Sequence, residues 1–445
     1  MLYSDFINQT LSNNNDIEWN YYNSHVNTDD IFNGLNSKEF IYGYFKNGVK
    51  TLPFFINADT ANKFIERYFT AGRKNFALSF NYDEQYQMPQ DRAIHTVSGF
   101  FLGLLIENCI NGIDTLSVDS PNYYPFSYLW FLTFLYHDYG YCVTERDDCP
   151  IQFPEHVPIP NEYGNYKSTI TTYEYNALSQ IKAQLGIDLS PFFPSSFPRC
   201  YEHSRQPNIE HALLRELTQR NYTIQGNPKL RFRGGYTIRE HRYTSFVVTR
   251  YMNYCINEFE HVDHGIVGGY LFYDRMIKNY MMAYLSATRE ENTFVDLSDF
   301  HYQYRHFCSE QLKIFSYISD CILSHNIWKQ PDDKREIYKQ YNMDDLFSEN
   351  FKSISYEENP LLYILVVTDS IEPVKIYQKE DKHLSAEQII NAINIEFIPK
   401  SHTLKFSSCS NIVDIGILHQ KAKGLESWTS VKCSALRDGN FTLSI

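Results

Sequence analysis

Five polar side chains lie within or at the ends of strongly apolar stretches of the sequence. They are His95 in "RAIHT", the neighbours His137 and Asp138 in "FLYHDYG", His325 in "SHNIW" and Asp369 in "VVTDS". Histidine nitrogens and carboxylate oxygens are the ligands that hard and borderline divalent ions take. A carboxylate in an apolar setting is costly to bury unless a cation offsets its charge. The pattern therefore indicates a divalent metal site whose ligands come from several segments.

A site of this kind suits the hydrolysis of a phosphoester. Two neighbouring ions can share a carboxylate, lower the pKa of a bound water and clamp the phosphoester oxygens during in-line attack. The pair His137-Asp138 can reach one ion, or bridge two, from the end of one helix. Because no cysteine belongs to the pattern, Mn, Fe, Mg, Co and Ni fit at least as well as Zn. The sequence predicts one or two such divalent ions. A lone histidine on an apolar helix is more often structural, and the chain has 15 histidines, so the joint pattern carries this prediction.

Helical periodicity places these residues on helices. Residues 89–110 space their apolar side chains at helical intervals, and residues 126–140 are so uniformly apolar that they predict a central helix. Further helices are predicted over 244–259, 265–287, 309–328 and 359–373. The predicted fold class is mainly α.

Three stretches depart from the helical pattern. Residues 1–60 begin polar and predict an N-terminal arm. Prolines are dense at about 147–243, which predicts an insertion within a helical domain of residues 61–379. One helical and several strand-like segments predict a small α+β C-terminal domain over 380–445.

Composition restricts the class of protein. With 43% hydrophobic and 21% charged residues, the 445-residue chain can bury a core. Its net charge of −13 argues against a broadly basic nucleic-acid binder. Nine cysteines, an odd number without a CxxC pair, argue against a disulfide framework. The longest apolar runs are too short to span a membrane and the first residues lack the pattern of a signal peptide. We expect a cytoplasmic protein that does not bind membranes.

The order of the metal-capable segments resembles a known superfamily. "RAIHT", "YHDYG", "DHGIVGG", "SHNIW" and "VVTDSIEP" follow one another as in the HD-domain metal-dependent phosphohydrolases, over roughly residues 60–375. The signature of that superfamily is H…HD…D on a bundle of helices, with further histidines before the last aspartate in members that bind two ions. The resemblance implies an HD-domain helical bundle. It departs at Tyr139 and Tyr141, because many members follow HD with a glycine and then a lysine or another polar residue.

The resemblance also implies the ligands. It assigns the first ion to His95, His137, Asp138 and Asp369. His264 and His325 would complete a second site, with Asp138 bridging the two ions.

A choice remains within the segment "EHVDHG". We favour His264 over His261 as the ligand, because Gly265 follows it and allows the backbone to pack closely. His261 then has a supporting or structural role, and it stays the alternative ligand.

A phosphorylated substrate requires cations near the metal. Arg92 lies one helical turn before His95, so its side chain could point to the opening of the same metal site. Lys375 in "IEPVK" is a weaker candidate. A basic cluster in "KLRFRGGYTIREHR" offers Arg231, Arg233, Arg239 and Arg242 as phosphate ligands. The alternative for that cluster is a hairpin turning at its two glycines, with the charges facing water.

Glu145 follows the HD pair by about two turns. It could act as a base or accept a hydrogen bond from a ligand, which would make it catalytic together with Asp138 and Arg92. The alternative is a water-exposed glutamate on a loop.

The expected function is a metal-dependent phosphohydrolase that cleaves a phosphoester of a nucleotide or a related small phosphorylated substrate through metal-bound hydroxide. One alternative is an HD-type nuclease on single-stranded nucleic acid, which the acidic net charge does not favour. Another is a non-catalytic nucleotide-binding sensor. The sequence does not indicate an oligomeric state.

Overall fold

The computed structural model describes most of the predicted metal-site segments and the whole C-terminal region. The described ranges are 90–110, 126–141, 309–327, 335–343, 353–357 and 359–445, with scattered positions and short runs between 250 and 272. These residues fall into two compact units. Unit 1 holds 90–110, 126–141, 353–357 and 359–445, and unit 2 holds the described residues between 250 and 343.

Helices dominate the described residues, and a small antiparallel sheet lies near the C-terminus. The helices are α1 (Gln90–Ile110), α2 (Phe126–His137), α3 (Ser309–Ser324), α4 (Arg335–Gln340), α5 (Pro360–Ile371), α6 (Pro373–Glu380), α7 (Ala386–Ala392) and α8 (Ile415–Gly424). The strands are β1 (Ile393–Ile398), β2 (Thr403–Ser408), β3 (Lys432–Cys433) and β4 (Asn440–Ser444). The prediction of a mainly helical chain with strands near its C-terminus is therefore confirmed for the described residues.

Two glycines allow α1 and α2 to approach closely. A Cβ atom on Gly99 would lie 2.1 Å from Cζ of Phe134, and one on Gly103 would lie 2.1 Å from Cζ2 of Trp130. The indole of Trp130 also donates a 2.8 Å hydrogen bond to the carbonyl of Phe100. His95, Gly99 and Gly103 lie four residues apart and share one face of α1. The close approach of the two helices is what brings His95 next to α2.

We expect the Gly99→Ala substitution to destabilise unit 1. Alanine gains about 1 kcal/mol of helix propensity over glycine, but an overpacked core costs about 1–3 kcal/mol. The cost of the clash exceeds the gain in helix propensity here because the Phe134 ring is fully buried and cannot move aside. Its centroid lies 5.3 Å from that of the His95 ring and 4.2 Å from that of the His137 ring. Urea unfolding measures the change. Gly424→Ala is the matched control, since a Cβ there meets nothing within 4 Å and should be neutral or stabilising. Equal stabilisation by both substitutions would contradict this packing.

Asn359 sets the start of α5, and Glu372 and Pro373 set the break between α5 and α6. Asn359 caps α5, its side chain accepting a 3.2 Å hydrogen bond from the backbone N–H of Leu362. Pro373 then begins α6, and the preceding Glu372 caps it. Proline is tolerated in the first turn of a helix because its missing N–H would have no helical partner there. The break at Glu372 follows Asp369 by three residues, and both helices pack against α1.

The sheet has the strand order β1-β2-β4-β3 and is antiparallel throughout. Phe406 pairs with Ile395 on one side and with Phe441 on the other, and the two phenylalanine rings stack at 4.6 Å. Asp438 and Gly439 turn the chain into β4 with φ angles of 49° and 70°. An Asp-Gly pair is typical of such a turn because both residues tolerate positive φ. Helix α8 packs on this sheet and on α5, so the C-terminal segment supports the helix that carries Asp369.

Unit 2 is described more sparsely. Tyr254 contacts two other tyrosines of the unit, with its ring centroid 4.9 Å from that of Tyr338 and 5.5 Å from that of Tyr341. The hydroxyl of Ser319 on α3 donates a 2.9 Å hydrogen bond to the carbonyl of Gly269. A Cβ on Gly269 would lie 2.6 Å from Cγ of Leu323, so α3 lies close to the backbone at this glycine.

Several predictions about organisation stay predictions. The N-terminal arm of residues 1–60 and the insertion at about 147–243 lie outside the described residues. The domain limits at 61–379 and 380–445 are not decided by the described residues. Among these residues, no helix has the length and apolar character needed to cross a membrane. The cytoplasmic location stays a prediction.

Candidate metal centre

Three helices of unit 1 bring three donor atoms together. Nε2 of His95 lies 3.2 Å from Nε2 of His137 and 3.1 Å from Oδ1 of Asp369. The distance from His137 Nε2 to the same Asp369 oxygen is 3.2 Å. Both histidines are fully buried, and the Asp369 side chain is 16% exposed. The three atoms form a nearly equilateral triangle with one edge of the site open to solvent at Asp369.

The size of this triangle fits one metal ion. Nitrogen and oxygen ligands bind zinc at about 2.0–2.2 Å, so neighbouring ligands of one ion lie about 3.0 Å apart in octahedral and about 3.4 Å apart in tetrahedral geometry. The observed edges of 3.1–3.2 Å lie between those values. His95, His137 and Asp369 could therefore hold a metal ion.

A hydrogen bond at Nδ1 of each histidine fixes the orientation of the ring and thus of its Nε2. Nδ1 of His137 lies 2.5 Å from the carbonyl oxygen of Phe134, which can only accept, so this nitrogen carries the proton. Nδ1 of His95 donates in the same way to the carboxylate of Glu372 at 2.8 Å. Each Nε2 then presents its lone pair to the centre. Metal-binding histidines are commonly held by such hydrogen bonds to a carbonyl or a carboxylate.

Glu372 is the residue of this centre that sequence reasoning missed. Its Oε2 accepts from His95 Nδ1 and from the backbone N–H of Lys375, both at 2.8 Å. Its Oε1 accepts from the Ser98 hydroxyl at 2.5 Å and from the backbone N–H of Val374 at 2.9 Å. The side chain is fully buried with four donors around it. The signal in the sequence was the run "DSIEP", because a proline favours the first position of a helix and Glu372 then falls at the N-cap.

Asp138 lies at the edge of the triangle. Its Oδ1 is 3.5 Å from His137 Nε2, and its Oδ2 is 3.7 Å from His95 Nε2. The residue is fully buried at the turn that ends α2. Nη1 of Arg92 lies 3.4 Å from its Oδ2. The structure thus brings all four residues of the predicted first site, and Arg92, into one cluster.

Tyr141 accounts for the position of Arg92. The guanidinium carbon lies 3.9 Å from the centroid of the Tyr141 ring, a distance typical of a cation–π contact. Tyr141, one of the two tyrosines at which the sequence departs from the pattern it resembles, therefore contacts an arginine of α1 beside Asp138.

The second cation of the centre is Lys375 in the first turn of α6. Its Nζ forms an ion pair with Oδ1 of Asp369, the same oxygen that belongs to the triangle. Although burial opposes ionisation, Lys375, His137 and His95 hold the pKa of Asp369 well below its usual range. Burial lowers the pKa of Lys375, but Asp369 and Asp138 raise it, and the net direction is upward. Both groups of the pair are charged at neutral pH.

His95 experiences opposing effects on its basicity. Burial and the charge of Lys375 lower its pKa, and the hydrogen bonds to Asp369 and Glu372 raise it, with a net increase. In the absence of an ion, a proton competes for the nitrogen that faces the centre.

The two predicted ligands of the second site lie together in unit 2. The ring centroids of His264 and His325 are 5.4 Å apart, and Nδ1 of His325 donates to the carbonyl of Ile322 at 2.6 Å. A Cβ on Gly265 would lie 2.6 Å from Cε1 of His325, so the glycine after His264 leaves room for that ring.

Two neighbours that were not predicted support this histidine pair. The amide of Asn326 donates to Oδ2 of Asp263 at 3.1 Å, and it lies 3.1 Å from Nε2 of His264. Oδ1 of Asp263 accepts from the backbone N–H of Ile266 at 2.9 Å. Asp263 in "EHVDHG" thus fixes the helix start that carries His264.

The remaining predicted site residues lie outside the described residues. They are Glu145, His261, Arg231, Arg233, Arg239 and Arg242. Their predicted roles stay predictions.

Comparisons of the chain with protein-family models, with curated proteins and with solved structures found no match. The interpretation of the centre therefore depends on its geometry and on the order of its residues in the sequence.

Proposed function

We propose that this protein is an HD-domain metal-dependent phosphohydrolase that cleaves a phosphoester of a nucleotide or a related small phosphorylated molecule. The observation that carries the proposal is the convergence of the four residues of the H…HD…D pattern. Nε2 of His95, Nε2 of His137 and Oδ1 of Asp369 lie 3.1–3.2 Å apart, with Asp138 beside them.

The helices that carry the pattern support an HD-type bundle. The first histidine lies in the interior of α1, the HD pair lies at the end of α2, and the last aspartate lies near the end of α5. Each of these helices packs against the other two. The proposal assigns them to the helical bundle of the superfamily.

A divalent ion bound by these ligands would activate water and polarise a phosphoryl oxygen. The residues of the chain provide the rest. Nε2 of His95 and Nε2 of His137 direct their lone pairs to the same position, because the Nδ1–H groups donate their hydrogen bonds to Glu372 and to the Phe134 carbonyl. Asp138 offers a carboxylate beside that point, where it can take up a proton from an attacking water.

Two cations next to the centre are assigned to the substrate phosphate. Arg92 is oriented by Tyr141, and Lys375 lies at the more exposed edge, with its side chain 27% exposed. Preorganised cations at a transferring phosphoryl group stabilise the charge that develops in the transition state.

The proposal includes a second ion. By the sequence pattern, His264 and His325 would hold it. The support is the order of these residues in the chain and the contact between the two histidine rings in unit 2.

Hydrolysis assays on metal-stripped protein test the proposal. We expect no turnover of bis-p-nitrophenyl phosphate or of a panel of nucleotides without metal, and turnover when Mn²⁺, Fe²⁺ or Co²⁺ is added. Protein that is folded but inert with every ion would overturn the phosphohydrolase assignment. Turnover restricted to single-stranded DNA or RNA, strongly inhibited by salt, would favour the nuclease instead.

The Asp138→Ala variant separates an enzyme from a sensor. An enzyme loses turnover in this variant. If the native chain binds a nucleotide without turning it over, and the variant still binds it without metal, the chain is a sensor.

A further inference from the structure

The contacts of Asp369 reveal a competition at one oxygen atom. Oδ1 lies 3.1 Å from His95 Nε2 and 3.2 Å from His137 Nε2, which makes it a corner of the metal-sized triangle. The ammonium group of Lys375 pairs with the same atom. A lysine cation therefore neutralises the carboxylate oxygen that an incoming ion would bind.

We propose that Lys375 is an exchangeable counter-ion of Asp369, which a bound metal displaces and which then binds a phosphate oxygen of the substrate. This inference rests on the proposed function and deepens it, because it identifies the step that makes an anion-binding group of the same centre available.

The position of Lys375 suits such an exchange. Its backbone is fixed, since its N–H donates to the buried carboxylate of Glu372 at 2.8 Å in the first turn of α6. Its side chain lies at the more open edge of the centre, 27% exposed, and carries the charge on a flexible four-carbon stem. The ammonium can therefore leave Asp369 without any movement of the helix.

Arg92 provides the contrast. Its guanidinium lies over the Tyr141 ring at 3.9 Å, and it contacts Oδ2 of Asp138 at 3.4 Å. Oδ2 of Asp138 is 3.7 Å from His95 Nε2, so the contact between Arg92 and Asp138 lies beside the triangle and not at one of its three corners. Arg92 is thus a fixed cation, and Lys375 is the one whose contact atom belongs to the triangle.

The exchange couples two binding events. A metal ion repels the ammonium group and takes over the charge of Asp369, which leaves Lys375 in need of a new anion. A phosphate group that pairs with Lys375 removes that repulsion. By thermodynamic linkage, phosphate must raise the affinity for the metal by the same factor by which the metal raises the affinity for phosphate.

Titration of the metal-free full chain with Mn²⁺ tests the proposal, with and without inorganic phosphate, by calorimetry. For Lys375→Met, which keeps most of the stem, we expect at least about threefold tighter Mn²⁺ binding without phosphate, because the competing cation is gone. The enhancement of Mn²⁺ affinity by phosphate should shrink by about fivefold or more, within the usual range of coupling between sites. Direct contact of phosphate with the metal accounts for what remains.

Two further variants complete the design. Lys375→Arg keeps a cation and should retain the effect of phosphate, whereas Lys379→Met, at an exposed position of α6, should behave as the native chain does. Far-UV circular dichroism verifies that each variant is folded. If Lys375→Met does not fold, Lys375→Arg still tests the proposal.

The outcomes distinguish this inference from the proposed function. If Lys375→Met binds Mn²⁺ as the native chain does, or if phosphate enhances binding equally in both, the exchange is wrong while the metal site stands. If Lys375→Arg loses the phosphate effect, the role of the cation is wrong. If the native chain binds no Mn²⁺, the proposed function and this inference both fail.

Discussion

Replacing His137 with alanine is expected to lower the affinity for Mn²⁺ by more than about 100-fold, and with it any metal-dependent hydrolysis. Loss of a residue that only supports a ligand typically costs 10–100-fold, and His137 is proposed to be a ligand itself. Its Nε2 lies 3.2 Å from both other corners of the triangle, so its loss leaves only two of the three triangle donors. Calorimetric titration of metal-stripped protein and elemental analysis of the purified variant measure the effect.

An exposed histidine of the same unit serves as the control. His383 lies at an exposed position after α6, and its alanine variant should bind Mn²⁺ as the native chain does. Because His137 is buried with its ring centroid 4.2 Å from that of Phe134, its removal leaves a cavity, so urea unfolding accompanies the titration. Native-like Mn²⁺ affinity in a folded His137→Ala variant would exclude this histidine as a ligand.

The Glu372→Gln substitution is expected to lower the Mn²⁺ affinity by about 10–100-fold with almost no change in volume. The carboxylate accepts four hydrogen bonds, and an amide replaces one accepting oxygen with a donor. An amide nitrogen facing His95 would favour the tautomer with its proton on Nε2, which blocks the lone pair at the centre. An amide nitrogen facing Ser98 instead leaves the N–H of Val374 without an acceptor, which costs about 1–3 kcal/mol of stability.

Two readouts separate positioning of His95 from a general loss of stability. Nitrogen-15 NMR of the histidine rings reports the tautomer of His95 in the metal-free protein, and the titration reports the affinity. Ser98→Ala is the matched control, since it removes one donor to Glu372 but keeps the carboxylate and its bond to His95. We expect its metal affinity to stay within a few-fold of the native value. An unchanged tautomer and affinity in Glu372→Gln would show that Glu372 acts only as a helix cap.

The helices that position the centre were predictable because local signals determine them. Apolar periodicity gave the range 89–110 for a helix that spans Gln90–Ile110, and the uniformly apolar stretch at 126–140 contains Phe126–His137. The strand-like segments after residue 380 form the antiparallel sheet. A polar residue within or at the end of each apolar helix was the informative signal, because such a residue needs a partner that the helix itself does not supply.

The role of Glu372 could not be predicted, because its partners come from distant parts of the chain. Ser98 is 274 residues away and His95 is 277 residues away. A glutamate before a proline is explained locally by its role as a cap, and nothing in the sequence shows that α1 lies against that cap. Buried polar groups of this kind become visible only when the helices are packed.

Arg92 and Lys375 were chosen as cations near the centre, but their partners were not predicted. The spacing of one turn placed Arg92 near His95, whereas its contact with Tyr141 depends on how α1 and α2 cross. Lys375 is six residues after Asp369, a spacing that does not bring side chains together on a continuous helix. The break at Glu372 and Pro373 is what brings the two charges into contact.

Crystals grown with Mn²⁺ and measured for anomalous scattering would test the central claim most directly. The account predicts an anomalous peak at about 2.0–2.3 Å from Nε2 of His95, Nε2 of His137 and Oδ1 of Asp369, with the ammonium group of Lys375 moved away from that oxygen. A well-ordered centre without a peak at saturating Mn²⁺, with Lys375 still paired to Asp369, would contradict it.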